Sequence, residues 1–232
     1  MKTDRQHKKV QFQDLGLSDY KSVWDYQESL LQQIIAQKIS NRSTDTPLPT
    51  DNHLLFVEHP PVYTMGKSGD LQNLLKSPEE LLQLGVAYYP INRGGDITFH
   101  GPGQLVGYPI FDLENFYTDI HRFLREIEEV IIQTIAHFGL EGYRVDGRTG
   151  VWVNDRKICA IGVRTSRWVS MHGFALNVNT DLRYFENIIP CGIADKEVTS
   201  IERETGNKVD FERVKTLTKA AFASIFGIYF TN

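Results

Sequence analysis

Helical hydrophobic spacing recurs in only three long stretches of this chain, and between them the pattern changes to short extended runs. That order limits the fold more than any single motif does. In the first stretch Val23, Trp24, Leu30, Leu31, Ile34 and Ile35 fall at three- and four-residue steps behind Ser18, read as an N-cap, which predicts a helix over residues 18–40. The second covers residues 118–138, with Ile120, Phe123, Leu124, Ile127, Ile131 and Ile135 on one stripe, Gly139 as terminator and an acidic, solvated opposite face. The third opens at Asp210 and turns Val214, Leu217, Ala221 and Ile225 inward. A shorter helix is marked by Ser77-Pro78-Glu79-Glu80, which sets a cap, an N1 proline and a capping-box glutamate in order before Gly85.

Extended runs fall at residues 54–57, 62–65, 86–91 and 105–111, and residues 142–179 are β-patterned throughout. Asn154-Asp155 marks a tight connection there, so a hairpin or meander is expected. Helix, strands, helix, strands, helix is not βαβ alternation. It implies an α+β domain with a mixed or mostly antiparallel sheet flanked by helices. At 232 residues the chain is long for one domain and short for two, so residues 1–232 are expected to form a single domain.

Lys and Arg number 25 against 29 Asp and Glu, a net charge of −4 with the signs mixed, which argues against a protein built to bind nucleic acid. The polar start leads into no apolar run of signal type, and no segment is long enough to span a bilayer, so a cytoplasmic protein without a membrane partner is expected. Two cysteines without Cys-x-x-Cys spacing fit free thiols in a reducing compartment. His53, His59, His100, His172 and the cysteines are too scattered for a metal site, and no metal or other cofactor is expected.

The densest candidate for chemistry is Arg93-Gly94-Gly95-Asp96-Ile97-Thr98-Phe99-His100-Gly101-Pro102-Gly103-Gln104, between two predicted strands. Its glycines let backbone approach a ligand and expose N–H groups; an ordinary glycine-rich connection is the competing reading. Cys191 follows Pro190, which fixes its approach, and precedes Gly192, which leaves room for an acyl carbonyl. A small buried hydrophobe is the bland alternative, and Cys159, in a predicted apolar strand, fits that description better. A thiol near its usual pKa of ~8.5 is mostly protonated at neutral pH, so a catalytic cysteine needs a cation; Lys157, His100 and His172 are the candidates.

Five ordered motifs, from Arg93 through Ile110, Gly150-Val151-Trp152-Val153, Lys157 through Arg164, His172 through Asn179, and Pro190-Cys191-Gly192-Ile193, closely resemble the lipoyl(octanoyl) transferases over roughly residues 54–201. The resemblance implies the biotin/lipoate protein ligase catalytic fold. It implies Cys191 as acyl-thioester nucleophile and Lys157 as its partner in a Cys/Lys dyad. Arg93 to His100, Ala160-Ile161-Gly162, His172 and Gly173-Phe174-Ala175 would bind substrate and line the acyl pocket. The implied donor is octanoyl-acyl carrier protein. The implied acceptors are lysines on lipoyl domains of 2-oxoacid dehydrogenases and on the glycine cleavage H protein. An ATP-dependent lipoate–protein ligase of the same fold group and a non-catalytic acyl- or carrier-binding module are the rivals. Between Gly142 and His172 the basic Arg144, Arg148, Arg156, Lys157, Arg164 and Arg167 face only Asp146 and Asp155, which reads either as a docking patch for an acidic carrier or as scattered solvated charges.

Overall fold

The structure, a computed structural model, describes residues 7–189 and 197–231. Its strands are β1 (Lys9–Leu17), β2 (His53–Glu58), β3 (Val62–Met65), β4 (Ala87–Pro90), β5 (Ile97–His100), β6 (Gln104–Ile110), β7 (Val151–Val153), β8 (Arg156–Ser166), β9 (Val169–Asn177) and β10 (Tyr229–Thr231). The helices are α1 (Tyr20–Ser40), α2 (Pro78–Gln83), α3 (Ile120–Ala136), α4 (Ile201–Thr205) and α5 (Phe211–Phe226).

Seven strands form a mixed sheet in the order β10-β1-β2-β6-β9-β8-β7, parallel at β10/β1/β2 and antiparallel from β2 to β7. A second sheet, β4-β3-β5, stands apart and carries the glycine-rich segment at one end. Side chains alternate across the large sheet as the pleat requires. Leu54, Phe56 and Leu105 face the core beneath α3 and α5, while Leu55, Val57 and Val106 face α1. The α+β architecture with a mixed sheet flanked by helices is therefore the one the order of periodicities implied.

Local chemistry sets the ends of these elements. The cap of α1 is Asp19, not Ser18: the Asp19 carboxylate accepts from the Ser22 N–H, and the Ser18 hydroxyl donates to the Leu15 carbonyl instead. The capping box of α2 is complete, with the Ser77 Oγ accepting from Glu80 N–H and Glu80 Oε2 accepting from Ser77 N–H. Asn154 and Asp155, at φ 46° and 63°, make the tight β7–β8 turn. In α5 the buried face is Val214, Thr218, Ala221, Phe222 and Phe226, and Leu217 and Ile225 are only half-buried. The acidic face of α3 is also not wholly solvated, because Glu128 on it is fully buried. Among the described residues no helix is long and apolar enough to cross a membrane.

Candidate active site

A cavity of about 640 Å³, lined chiefly by apolar surface, opens where the small sheet meets β6, β8 and β9. Its volume lies in the ordinary range of small-molecule sites. Of the residues the sequence singled out, Arg93, Gly94, Gly95, Asp96, Ile97, Thr98, His100, Ala160, Ile161, Gly162, His172, Gly173, Phe174, Ala175 and Lys157 all line it. Phe99 does not. Its ring is 1% exposed and stacks on Tyr184 at 4.6 Å, inside the core of the small sheet.

The glycine-rich loop reaches the cavity because it is stitched on two sides. Arg93 and Gly95 carbonyls accept from Lys67 and Ser68 N–H, and Gly94 N–H donates to the Val163 carbonyl of β8 at 3.1 Å. A side chain at Gly162 would put its Cβ 2.8 Å from the Gly94 carbonyl, and Gly95 holds φ +87°, so glycine is required at both contacts. Because Gly94 N–H is already paired, it is not a donor for a substrate oxyanion.

A directional chain of hydrogen bonds runs beneath the cavity. Arg93 donates to the Thr64 hydroxyl and carbonyl, and the Thr64 hydroxyl faces His100 Nε2 at 3.4 Å. Gln104 donates through Nε2 to the Phe99 carbonyl and Asn177 Oδ1, so its Oε1 accepts from His100 Nδ1 at 2.9 Å. Asn177 donates on to the Thr199 carbonyl, and Thr199 N–H donates to the Lys157 carbonyl. The histidines are neutral in this setting. Burial holds His100 down to about 3, with the neighbouring His59 ring and the Arg93 charge adding to it. Burial and then Arg93 hold His172 down to about 3 as well. His59 is pushed down to about 4 by burial; its Nδ1 donates to the Ser18 carbonyl and its Nε2 accepts from the Tyr108 hydroxyl. His172 sits at φ 61°, a left-handed conformation that is uncommon for a non-glycine residue, with its N–H donated to Gln27 Oε1.

Lys157 lies at the start of β8, with its ammonium 5.0 Å from the centre of the Trp152 ring. Its backbone forms an isolated parallel bridge with Val198: Lys157 N–H donates to the Glu197 carbonyl, and Val198 lines the cavity. On the other side of the intervening segment, Ile189 N–H donates to the Asn73 carbonyl, and Phe185 lines the cavity. Pro190, Cys191, Gly192 and Ile193 lie outside the described residues. Cys159 is fully buried in the core beneath β8, and burial pushes its thiol well above the ordinary range, so it suits a structural role.

Three of the six basic residues between Gly142 and His172 are neutralised by acids from elsewhere in the chain. Arg144 pairs with Glu128 and Glu129, Arg156 with Glu204, and Arg164 with Glu28. Arg148 lines the cavity, and Arg167 is exposed at the β8–β9 turn. Tyr20, Gln104, Tyr108, Asn177, Ile120, Leu124 and Thr149 also line the cavity without having been singled out as site residues. Gln104 and Tyr108 sit inside the first motif and Asn177 inside the fourth, so their positions carried a signal. Ile120 and Leu124 look from sequence like plain helix core.

Residues 19–223 match the model of the family described as the lipoyl protein ligase A/B catalytic domain. The octanoyltransferase of Flavobacterium johnsoniae is 62% identical over 216 residues, covering 90% of this chain and 93% of that protein. The octanoyltransferase of Flavobacterium psychrophilum is 58% identical over 226 residues, covering 95% and 97%. Among solved structures, a putative lipoate protein ligase from Thermoplasma acidophilum superposes with a TM-score of 0.69 at 16% identity, over 96% of this chain and 87% of that one. Lipoate-protein ligase A bound with ATP gives 0.66 at 15% identity, over 97% and 87%. These two structures share the fold.

Proposed function

The chain belongs to the lipoyl protein ligase A/B catalytic domain family, on its octanoyltransferase branch, and we propose that it carries an octanoyl group on Cys191 as a thioester between two protein partners. The donor is octanoyl-acyl carrier protein. The acceptor is a lysine of lipoyl domains, those of 2-oxoacid dehydrogenases and the glycine cleavage H protein. The observation that supports this reading most is that four of the five motifs bring their residues to one largely apolar cavity, and that Lys157 stands on its wall, its backbone bonded to Glu197 and Thr199 just after the Cys191 segment.

In the first step the Cys191 thiolate attacks the donor thioester carbonyl. A new carbon–sulfur bond forms, and the carrier thiol leaves with a proton. In the second the acceptor amine attacks the acyl-enzyme, a carbon–nitrogen bond forms, and Cys191 sulfur leaves while the amine proton passes to a base. Thioester exchange is nearly isoenergetic and aminolysis runs downhill, so the protein has to supply position and protons. The Lys157 ammonium stabilises the thiolate and takes part in the proton transfer. His100 and His172 line the cavity and His59 lies buried outside its lining; all three, neutral and hydrogen-bonded, do not supply positive charge near pH 7. The cavity holds the acyl tail.

Incubation with octanoyl-carrier and no ATP should add one octanoyl mass to the intact protein, sensitive to hydroxylamine and mapped to Cys191. Cys191→Ser should abolish it. An adduct that persists on Cys159, or a strict requirement for ATP, overturns the reading.

A further inference from the structure

Outside the motifs, one buried charge stands next to the cavity wall. Glu128, on α3, has a side chain with no exposure at all. Its Oε1 accepts from Gly150 N–H at 3.0 Å and from Arg125 at 2.8 Å, and its Oε2 accepts from Arg144 Nε at 3.1 Å. Arg144 and Gly150 are the two feet of a short loop, and the residues between them include Gly147, Arg148 and Thr149, which line the cavity. One carboxylate thus ties both ends of the loop to the helix. Ile120 and Leu124, eight and four positions earlier on the same face of α3, line the cavity as well, so helix and loop together form one wall.

The tie also reaches Lys157. Gly150 sits at φ +135°, and a Cβ there would lie 3.0 Å from Lys157 Cε and 2.7 Å from the Cys159 carbonyl. The glycine backbone is therefore pressed flat against the lysine stem, with the Trp152 ring also in reach of the ammonium at 5.0 Å. A buried carboxylate is costly unless its oxygens are matched, and here they are matched by the two feet of this loop, Arg144 and Gly150, and by Arg125 one turn earlier on the same helix. Packing alone would be served by leucine at this position.

We propose that Glu128 is a positioning and specificity residue: it fixes the 144–150 loop as a wall of the acyl slot and seats Gly150 against Lys157, so that slot length and lysine placement are set together. The proposal rests on the acyl-transfer reading above.

Acyl-enzyme formation with hexanoyl, octanoyl, decanoyl and dodecanoyl donors, read by intact mass, tests it. One methylene in a shaped apolar pocket discriminates roughly 10- to 200-fold, so loosening the wall by Glu128→Ala should narrow the octanoyl-to-dodecanoyl rate ratio about tenfold or more. Glu128→Gln keeps an acceptor for Gly150 N–H and should hold the ratio near wild type even if the melting temperature falls, a rescue that a purely structural role does not produce. If Glu128→Ala does not fold, Thr149→Leu fills the same wall and should shift preference toward hexanoyl by about tenfold. A folded Glu128→Ala, or a Thr149→Leu, with the wild-type chain-length profile overturns the proposal. Failure of the wild-type protein to take up any acyl group overturns the transfer reading instead, so the two failures are told apart.

Discussion

Acidification from pH 7.0 to 5.5 should cost this protein a large part of its stability, because three histidines are buried in their neutral form. His59 (0% exposed), His100 (6%) and His172 (2%) are held at about 4, 3 and 3, against 6.5 for an ordinary histidine. Each neutral ring is locked by its partners. His59, for example, donates from Nδ1 to a carbonyl and accepts at Nε2 from Tyr108, so a second proton would displace the Tyr108 hydrogen bond. The folded state refuses protons that the unfolded chain accepts once the pH drops below about 6.5. Stability from this source is therefore fully present above that value and drains away as the pH falls toward the folded-state values. Over pH 7.0 to 5.5 the loss is about 1 kcal/mol for each histidine, or roughly 4 kcal/mol for three. Folded domains hold roughly 5–15 kcal/mol in all, so the effect is not a small correction. His53, also pushed down by burial, acts in the same sense; Glu128, raised by burial, acts in the opposite one but is a single group.

Equilibrium urea unfolding at the two pH values measures the loss directly, and thermal unfolding should show a fall of roughly 8–16 °C. At pH 5.5 these three rings should account for nearly three of the protons taken up on unfolding, and His59→Gln should reduce the total uptake by about one, whatever it does to stability at pH 7. Unfolding free energies that agree within about 1 kcal/mol between pH 7.0 and 5.5, or a proton uptake unchanged by His59→Gln, would refute the assignment of neutral buried rings.

Three further outcomes follow from the site. Lys157→Met should slow acyl-enzyme formation about 100-fold or more while moving stability by no more than about 1 kcal/mol, the worth of a partly exposed cation over an aromatic ring, and a wild-type acylation rate would remove Lys157 from the chemistry. Asn177→Leu leaves one of the two Gln104 amide hydrogens and the Thr199 carbonyl without their partner, at about 2–4 kcal/mol or roughly 5–15 °C in melting temperature, and a loss under about 2 °C would show that water or repacking replaces both bonds. Arg148→Glu should raise the carrier KM several-fold at low salt and flatten its salt dependence, whereas an unchanged salt profile would place docking of the acidic donor elsewhere.

Features decided within a few residues were legible in the sequence. The Ser77–Glu80 box, the Asn154-Asp155 turn and the glycines around Arg93 each announce a backbone geometry that only certain residues adopt, and all three stand where the pattern put them. What depended on distant partners was not legible. β1 alternates weakly and buries only Val10 fully; it is a strand because β10 and β2 flank it, and β10 lies at the far end of the chain. Glu128 reads as one charge on a solvated face beside Glu126 and Glu129, and its burial comes from a loop that begins sixteen residues later. Phe99 sits in the middle of the densest motif yet packs away from the cavity, because Tyr184 supplies a stacking partner that no local pattern predicts.

Lys157 is held by two supports that share no atom. Asn177, through Thr199, fixes the backbone at the start of β8, and Glu128, through Gly150, fixes the side-chain stem. If both serve the placement of one ammonium, then losing either leaves the amine misplaced, and losing the second adds little to a rate already lowered; such units are strongly non-additive in kinetics. Stability should behave otherwise, since the unpaired groups created by each change are different ones and their costs should sum within about 0.5 kcal/mol unless the sites share partners. Acylation rates and unfolding free energies of Asn177→Leu, Glu128→Ala and the double variant separate the cases. Rate losses that multiply in full, alongside additive stability losses, would mean that the two supports act on different steps and that Lys157 is not their common object.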